Sequence, residues 1–485
     1  MSFRTVPPMK ILIAASDLTP LIATDEHTLA QPIPALPLAL QRAGHEVSVI
    51  GPLAAALEAS PELKIKATGV RITAPLGGER FVTEVREARS PQGLQMFLFQ
   101  QPEIFDPAGS AMNARAATYF SKLIVELARR LNPAPDVVQI QDWPGALAPV
   151  FLKAQNLPFA SVLAVSDPSA HGSFPIEDFG LLNLGWEYFR PTSVEFYGRV
   201  NFLKAGIVSS DAVAVDGELE RAAVQTPEQG GGLDVVFREN MARLHGIPAG
   251  LDEHTWNPAT DAGIARKYRP ANLAGKDACR TALLAQLGLA KHPAGPVFLL
   301  DLAAGQDAAY LERLAPRLDQ LLADDVRLIV LGDLPDTSPV AIAFDLAARR
   351  DADKLTFVKN ADQRLTHAAL AGADFQLFLG RQRGVSARLL RSLKYGTLPI
   401  APAATGLRQL IEDYHPGSDH GSGLVFYQPN GEALFDVLAH RAPTLLSSPE
   451  RWESLRQRAM IHAGKFSWAR AAAQYISLYA RLGRH

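Results

Sequence analysis

The sequence predicts an α/β protein built from two doubly wound units, and three observations support this class. Its 485 residues are too many for one hydrophobic core and suit two domains of ordinary size. Short apolar runs, typical of buried parallel strands, alternate with segments of helical periodicity in both halves of the chain. A hydrophobic content of 47% with 20% charged residues indicates a folded chain rather than a disordered one.

The first half contains alternating strands and helices. The predicted strands are residues 9–15, 46–50, 136–141 and 159–166, and the predicted helices are residues 35–43 and 118–131. Gly44 ends the first helix. Pro133 follows the second helix, which it cannot continue because a proline has no backbone N–H. This alternation predicts a parallel sheet that is covered by helices.

The second half repeats the pattern. Its predicted strands are residues 296–301, 326–332 and 374–379, and its predicted helix is residues 311–322. We place the boundary at residues 247–250, which gives domains of residues 9–250 and 251–460, with residues 461–485 as a C-terminal helix. In a protein of this class we expect a ligand crevice between the domains, at the carboxyl ends of the strands.

Charge and cysteine content narrow the functional classes. The formal net charge of −2 provides no general attraction for nucleic acid or for an anionic membrane, so neither partner is expected. The chain has no apolar run long enough to span a bilayer and no secretory core at its start. Cys279 is the only cysteine, which excludes an intrachain disulfide and favours a cytoplasmic protein.

Several specific stretches occur in one order along nearly the whole chain. They are Glu195–Ile207, Thr226–Leu233, Gly250–Asp252 with Trp256–Asp261, Lys394–Ile400, and Phe466–Trp468 followed by Tyr475 and Tyr479. Together these stretches resemble the glycogen and starch synthases. The resemblance implies a GT-B fold, with two Rossmann-like domains facing each other across a cleft and a C-terminal helix that crosses back to the first domain.

The resemblance also implies a chemistry. Members of the family transfer glucose from a nucleotide-glucose such as ADP-glucose to the end of an α-1,4-glucan, retaining the anomeric configuration and using no metal, so no cofactor is expected. Protein cations or backbone N–H groups must then stabilise the charge on the departing diphosphate. The acceptor hydroxyl must also be held at attacking distance.

The first half departs from this chemistry. The family loop Lys-Thr-Gly-Gly-Leu is replaced in residues 22–29 by a stretch without lysine or glycine and with two acids, which would repel a diphosphate. The family motif His-Ala-His-Asp-Trp-His is retained here only as Asp142 and Trp143, both candidates for contact with a sugar. Ser166 falls at the catalytic histidine of the family, and nearby His171 is a further cleft candidate.

The second half departs similarly. Asp301 and Gln306 fall where the family has a phosphate-binding arginine and lysine, and Arg383 falls where it has a key glutamate. The tyrosine that stacks on the nucleotide base is replaced by Ala361. Because such groups act together, losing several of them is expected to leave little catalysis. Pro258, Tyr197, Asn201 and Trp468, in contrast, lie in stretches that match and that we interpret as structural.

An arginine cluster is the main feature that favours a retained ligand site. Arg381, Arg383, Arg388 and Arg391 lie around one predicted helix, where they could hold a phosphate or carboxylate. The alternative is a charged surface whose arginines pair with acids such as Asp374. Thr405 and Gly406 keep part of a further family loop and complete the candidate substrate contacts.

The sequence therefore leaves three functions open. The first is a catalytically impaired or inactive homologue that binds glucan or an active glycogen synthase and regulates glycogen metabolism. The second is a working transferase that uses ADP-glucose or another nucleotide-glucose. The third is a scaffold that senses an anion or sugar phosphate. Fold alone cannot separate these functions, so whether the chain is an enzyme stays open at this point.

Overall fold

The computed structural model describes residues 7–22, 32–106, 112–290, 295–302, 308–380, 386–403, 407, 410–415, 420–428 and 430–483. The chain divides into two compact units. The first unit is Met1–Ala249 together with Trp468–His485, and the second is Gly250–Ser467.

The strands are as follows. In chain order they are β1 Lys10–Ala14, β2 Glu46–Pro52, β3 Lys66–Leu76, β4 Glu79–Arg89, β5 Gln95–Gln100, β6 Val137–Gln141, β7 Ala160–Val165, β8 Ser173–Phe174, β9 Glu195–Phe196, β10 Arg199–Asn201, β11 Ala212–Val215, β12 Leu244–Gly246, β13 Val297–Asp301, β14 Arg327–Leu331, β15 Leu355–Val358, β16 Phe375–Leu377, β17 Leu398–Pro402 and β18 Leu424–Phe426.

The helices cover the sheets and connect their strands. They are α1 Pro32–Arg42, α2 Ala55–Glu58, α3 Ala114–Arg130, α4 Ala148–Ala154, α5 Phe202–Ser209, α6 Glu218–Ala223, α7 Asp234–Glu239, α8 Ala274–Gln286, α9 Ala308–Leu314, α10 Leu318–Ala323, α11 Pro339–Arg350, α12 Gln363–Gly372, α13 Ala387–Lys394, α14 Gly431–Asp436, α15 Ala442–Leu446, α16 Pro449–Ala463 and α17 Trp468–Leu482. A π-helical segment, Val437–Arg441, joins α14 to α15. Short 3₁₀ turns occupy Thr19–Ile22, Trp143–Gly145, Ile176–Leu182, Trp186–Tyr188, Met241–Arg243 and Ala315–Arg317.

The described part of the first unit is organised around a nine-stranded sheet in the order β12-β11-β7-β6-β1-β2-β5-β4-β3. The strands from β12 to β5 run parallel, and β4 and β3 add an antiparallel ribbon at one edge. The strands predicted in this half are confirmed, since β1, β2, β6 and β7 all lie within or beside their predicted ranges. A second, three-stranded sheet has the order β8-β10-β9.

The ribbon of β3 and β4 was absent from the prediction. Its inward residues alternate with exposed ones, as in Ile72, Ala74 and Leu76, and a Gly77-Gly78 turn joins the two strands. This period of two residues followed by a glycine pair is the ordinary signal of a hairpin. The ribbon extends the sheet by two strands because β4 pairs with β5.

Two helical layers bury the faces of the first sheet. One layer is centred on α3, in which thirteen residues including Phe120, Leu123 and Ile124 are buried. The other layer contains α1 and the C-terminal helix α17, whose Tyr475 and Tyr479 are buried in the same core as β1. The last helix of the chain is thereby part of the first unit, and it begins at Trp468.

The described part of the second unit is built on a six-stranded parallel sheet in the order β15-β14-β13-β16-β17-β18. The predicted strands are confirmed as β13, β14 and β16, although β16 is shorter than expected. The prediction of a single helix over residues 311–322 is wrong. This segment forms two helices. It is divided into α9 and α10 by the 3₁₀ turn Ala315–Arg317, because Pro316 has no N–H to donate within a continuous helix.

A buried lysine fixes α8 to the rest of the second unit. The Lys276 ammonium donates to the carbonyl oxygens of Leu370 (3.3 Å) and Ala371 (3.1 Å) and to Thr397 Oγ1 (2.8 Å). Burial lowers the pKa of Lys276 to about 7. In the unfolded chain the same group holds its proton up to roughly pH 10.4, so the folded state binds fewer protons between these two values.

We therefore expect Lys276 to make stability depend on pH in a defined direction. Relative to a Lys276→Met variant, the free energy of unfolding of the native protein should rise between about pH 7 and about pH 9.5, by on the order of 3 kcal/mol. Urea unfolding at both pH values measures this difference. Lys66→Met, at an exposed position of β3, is the matched control, and a difference that does not change with pH would contradict the assignment.

Candidate functional site

Asp142 joins the carboxyl ends of two neighbouring strands of the first unit. It follows β6 directly, and its backbone N–H donates to the carbonyl of Ala164 in β7 (2.9 Å). Its Oδ1 accepts from the N–H of Ser166 (2.6 Å), and its Oδ2 accepts from Nε2 of Gln141 (3.2 Å). Both carboxylate oxygens therefore already have partners within the chain.

The position of Asp142 carries strain as well as charge. Its φ of 57° with ψ of −174° lies in a region that normally requires glycine and costs about 1–3 kcal/mol. Burial raises the pKa of the Asp142 carboxyl, and the hydrogen bonds from Ser166 and Gln141 oppose that rise. Such a residue persists only where its surroundings hold it in place, which the two strand ends do here.

Gln139, Gln141 and Ser166, which the resemblance matches to histidines of the family, have uncharged side chains. Gln141 Nε2 donates to Ser166 Oγ (2.7 Å), so these two side chains satisfy each other. Gln139 is fully buried, and its Oε1 accepts a hydrogen bond from the Tyr479 hydroxyl of α17. Neither an amide nor a serine hydroxyl is a proton acceptor near neutral pH, so this trio supplies no general base.

His171 lies in the loop between β7 and β8. The side chain is half-buried, and its Nε2 makes no hydrogen bond with any residue that the structure describes. Its carbonyl accepts from Leu203 N–H (3.0 Å), which places the residue against the start of α5. Within the described ranges no hydrogen bond joins His171 to Asp142 or Ser166, so His171 lies outside that hydrogen-bonded group.

Trp143 is packed into the same loop system. Its ring lies against Phe174 (centroids 5.8 Å apart) and Phe202 (6.3 Å). It also covers Gly172, where an added Cβ would lie 2.1 Å from a Trp143 ring carbon. The glycine, whose φ is 58°, is required for this close approach.

A cavity of about 750 Å³ opens beside Trp143 at the carboxyl ends of β1, β2 and β5. Asp17, Thr19, Phe105 and Asn113 contribute to its wall. The volume is within the range of small-molecule sites. No lysine, arginine or histidine is present among the described residues that line it, so its wall offers hydroxyl, amide, carboxylate and aromatic groups rather than cations. Asp17 and Thr19 were not among the predicted contacts, although their position directly after β1 was the available signal.

The corresponding strand end in the second unit carries Asp301. The Asp301 carboxylate lies 3.8 Å from the guanidinium of Arg388 in α13, and both side chains are about one-quarter exposed. The resemblance places a phosphate-binding arginine at position 301. The structure places a carboxylate there, and that carboxylate offsets the charge of Arg388.

Arg391 belongs to the interior of the second unit. Its guanidinium lies 4.0 Å from the ring centroid of Trp256 and is buried. Trp256 stacks on His367 (4.2 Å, 13° between the planes), and His367 Nδ1 lies 2.6 Å from Asp261 Oδ2. Arg391 is therefore part of a buried aromatic and ionic cluster. Of the two arginines of the predicted group that the structure describes, Arg388 is the one near a strand end.

Asp374 does not pair with Arg388 or Arg391, the two members of the arginine group that the structure describes. Its Oδ2 accepts from Arg280 Nε (3.2 Å) and from the Val297 N–H (2.9 Å). These bonds tie α8 to the start of β13. Asp374 precedes β16 at the amino end of the sheet, whereas α13 begins at the carboxyl end, and the acid beside Arg388 is Asp301 instead.

Five predicted positions lie outside the described residues. They are Gln306, Arg381, Arg383, Thr405 and Gly406. Residues 23–31, which include most of the first loop, also lie outside the described residues. Among the residues that are described, no group of three or more His, Cys, Asp or Glu side chains could hold a metal ion, and no helix is long and apolar enough to cross a membrane.

Comparison with known proteins gives the family. The family model for the starch synthase catalytic domain matches residues 10–239. Glycogen synthase of Myxococcus xanthus is 33% identical over 487 residues, covering 97% of this chain and 99% of that protein. The chain belongs to the glycogen/starch synthase family. Glycogen synthase of Opitutus terrae is 32% identical over 486 residues, with 97% and 99% of the two chains covered.

Solved structures support the fold. The catalytic domain of starch synthase IV from Arabidopsis thaliana, bound to ADP and acarbose, matches with a TM-score of 0.81 at 21% identity, covering 99% of this chain and 100% of that one. Sucrose-phosphate synthase from Thermosynechococcus elongatus matches with a TM-score of 0.58 at 15% identity, covering 98% and 99%. The predicted GT-B fold is confirmed for this glycogen/starch synthase homologue.

The hydrogen bonds of Asp142 predict different outcomes for two substitutions. Asp142→Asn keeps an acceptor for Ser166 N–H and removes a carboxyl that burial disfavours, so stability should stay close to that of the native protein. Asp142→Ala leaves that N–H without its acceptor and should lower the free energy of unfolding by about 1–3 kcal/mol. Chemical unfolding of both variants tests this, and equal stabilities would show that Asp142 does not join the two strand ends.

Proposed function

We propose that this chain is a glycogen/starch synthase homologue without nucleotide-sugar transferase activity, which binds α-glucan in the cytoplasm and regulates glycogen synthesis. The observation that carries the proposal is the charge at the end of β13. There a carboxylate, Asp301, stands where the family places an arginine, and it already pairs with Arg388 at 3.8 Å.

The charge of Asp301 matters because the leaving group of the transfer is a negatively charged nucleotide diphosphate. A diphosphate that leaves in the transition state needs cations or N–H donors, and removing one such contact typically costs about 2.7–4 kcal/mol. Here a positive charge has been replaced by a negative one, and the nearby guanidinium of Arg388 is offset by it. A donor phosphate at this point would be repelled by Asp301 rather than stabilised.

The first unit supports the same conclusion. Ser166 stands at the position of the catalytic histidine, and its hydroxyl accepts from Gln141. Asp142 Oδ1 accepts from the N–H of Ser166, which follows β7, and Asp142 Oδ2 accepts from the neighbouring Gln141 side chain. These groups hydrogen-bond to one another. None of them is therefore placed to act as the acid, the base or the oxyanion stabiliser that glucosyl transfer requires.

Glucan binding makes different demands, which the first unit still meets. A neutral sugar needs hydroxyl-bonding groups and aromatic surface, and it needs no cation. The cavity beside Trp143 offers Asp17, Thr19 and Asn113 together with the rings of Phe105 and Trp143. A homologue that binds glucan without extending it could position an active glycogen synthase, or compete with it, at the same polymer.

The proposal predicts no transfer of labelled glucose. Purified protein, expressed in a host that lacks its own glycogen synthase, is incubated with labelled ADP-glucose or UDP-glucose and glycogen. The glycogen synthase of Myxococcus xanthus serves as the active comparison. Label in glycogen above that of an Arg383→Ala variant would contradict the proposal and favour an active transferase. The full-length identity to proteins named glycogen synthase is the observation that supports that alternative.

Removal of the Asp301 carboxylate should increase nucleotide binding. Asp301→Asn removes the carboxylate and leaves Arg388 available, so the affinity for ADP should rise by roughly tenfold, which corresponds to about 1.4 kcal/mol. Competition against a fluorescent ADP analogue measures the change. Asp319→Asn, which breaks the surface ion pair of Asp319 with Arg350, is the matched control. Equal ADP affinity in native protein and Asp301→Asn would remove the electrostatic basis of the proposal.

A further inference from the structure

A cavity of about 520 Å³ lies at the amino ends of β1, β2 and β5, at the opposite edge of the sheet from the cavity beside Trp143. We name it the amino-end cavity, and Lys10, Ser48, Arg89 and Gln95 are among the residues that line it. β2 has seven residues and spans roughly 20 Å at about 3.3 Å per residue, so the two cavities are separate. The substrate crevice of such a fold lies at the carboxyl ends of the strands, so a ligand in the amino-end cavity would be an additional one.

Strand pairing places polar side chains in one row across the amino-end cavity. Ser48 of β2 pairs with Gln95 of β5, and Gln95 pairs with Arg89 of β4. Paired residues point to the same face of a sheet and lie about 5 Å apart. Leu12 of β1 pairs with Ser48 on the other side, so the polar row adjoins an apolar wall.

The polar row lies on a face of the sheet that is otherwise covered by a helix. Leu12 and Phe97 on this face belong to the same hydrophobic core as the buried residues of α3. The helix ends at Arg130, and the residues that follow it, Leu131 to Pro133, line the amino-end cavity. The hydroxyl, amide and guanidinium groups of the row therefore lie beside a cavity and not beneath the helix.

Two neutral side chains of the wall are prepared to donate hydrogen bonds. Ser48 Oγ donates to Gln95 Oε1 (3.1 Å), and Gln95 Nε2 makes no hydrogen bond to any residue that the structure describes. His45 is buried, and its Nδ1 accepts from the Met9 N–H (3.1 Å). The neutral His45 ring therefore carries its proton on Nε2, where it can only donate.

The charges of the amino-end cavity favour an anion. Arg89 is exposed, donates to the Gly93 carbonyl (3.3 Å) and forms no ion pair within the described part of the chain. Lys10 pairs with Glu46 (2.9 Å), which is the one carboxylate among the described residues that line the cavity. The Glu46 side chain is 70% exposed, and a surface ion pair of this kind is weak enough for a bound anion to compete with Glu46 for Lys10.

We propose that the amino-end cavity binds a small phosphate monoester. A phosphate dianion has two negative charges and three acceptor oxygens, which match the two cations and the N–H donors of this wall. A single carboxylate would use only one of the two cations. Leu12, Phe97 and Ser48 remain for the organic part of the molecule. The site does not depend on the proposed glucan binding, and it would give a regulatory homologue a metabolite to respond to.

Charge substitutions at the rim test the site in two directions. Isothermal titration calorimetry of the full-length protein at low ionic strength uses ribose 5-phosphate and glycerol 3-phosphate as probes. Arg89→Gln should weaken their binding roughly tenfold, and Glu46→Gln, which releases Lys10, should strengthen it roughly threefold. Arg80→Gln, at an exposed position near the other end of β4, is the matched control and should bind like the native protein. Positions 46, 80 and 89 are all exposed, so the melting temperature should not change.

Several results would overturn this site, and each has a defined meaning. Absence of saturable heat with both phosphates would show that the cavity takes no phosphate monoester. Equal affinity of Arg89→Gln and the native protein would place the binding elsewhere. Ribose bound as tightly as ribose 5-phosphate would remove the role of the phosphate group, and succinate bound more tightly than both phosphates would assign a carboxylate ligand. Glycogen binding is measured separately, so none of these results decides the proposed function.

Discussion

The Asp142 carboxylate holds together the part of the first unit on which the interpretation of this protein depends. Parallel strands end at one edge of a sheet, where their last N–H groups and side chains need partners. Asp142 supplies two of these partnerships, to Ser166 and to Gln141, while its own backbone bonds to Ala164. A carboxylate engaged in this way maintains the loop geometry and is poorly available for a substrate.

The same principle explains the second unit. A buried or half-buried charge is tolerated when another group of the chain compensates it. Asp301 lies beside Arg388, Asp374 binds Arg280, and Arg391 lies on Trp256. Each of these charged side chains therefore has a compensating neighbour within the second unit.

The fold was largely predictable from the sequence, and the reasons are physical. Buried parallel strands such as β1, β13 and β14 are short continuous apolar runs, which the sequence displays directly. The β3–β4 ribbon shows a weaker alternation and was missed. Pro316 divides a segment whose apolar periodicity is otherwise continuous, so periodicity alone predicted one helix where there are two.

The sequence predicts which positions of the candidate site differ from the family, and it does not predict the contacts that those residues make. The resemblance implies that Ser166 and Asp301 stand where the family has functional groups. It does not show that Ser166 accepts from Gln141, that Gln139 turns into the core toward Tyr479, or that Arg391 stacks on Trp256. These contacts join residues that are distant in the chain, or depend on which side of a strand or helix faces the interior. The exposure of the Tyr197 ring belongs to the same class, because it depends on the turn that joins β9 to β10.

The central claim is that this member of the glycogen/starch synthase family binds glucan and does not bind a nucleotide sugar. Isothermal titration calorimetry of the native protein with ADP-glucose, and separately with maltohexaose, tests it most directly. The account predicts saturable heat with maltohexaose and none with ADP-glucose. Saturable binding of ADP-glucose with a dissociation constant in the micromolar range would contradict the account, because it would show that a donor site exists despite Asp301 and Ser166.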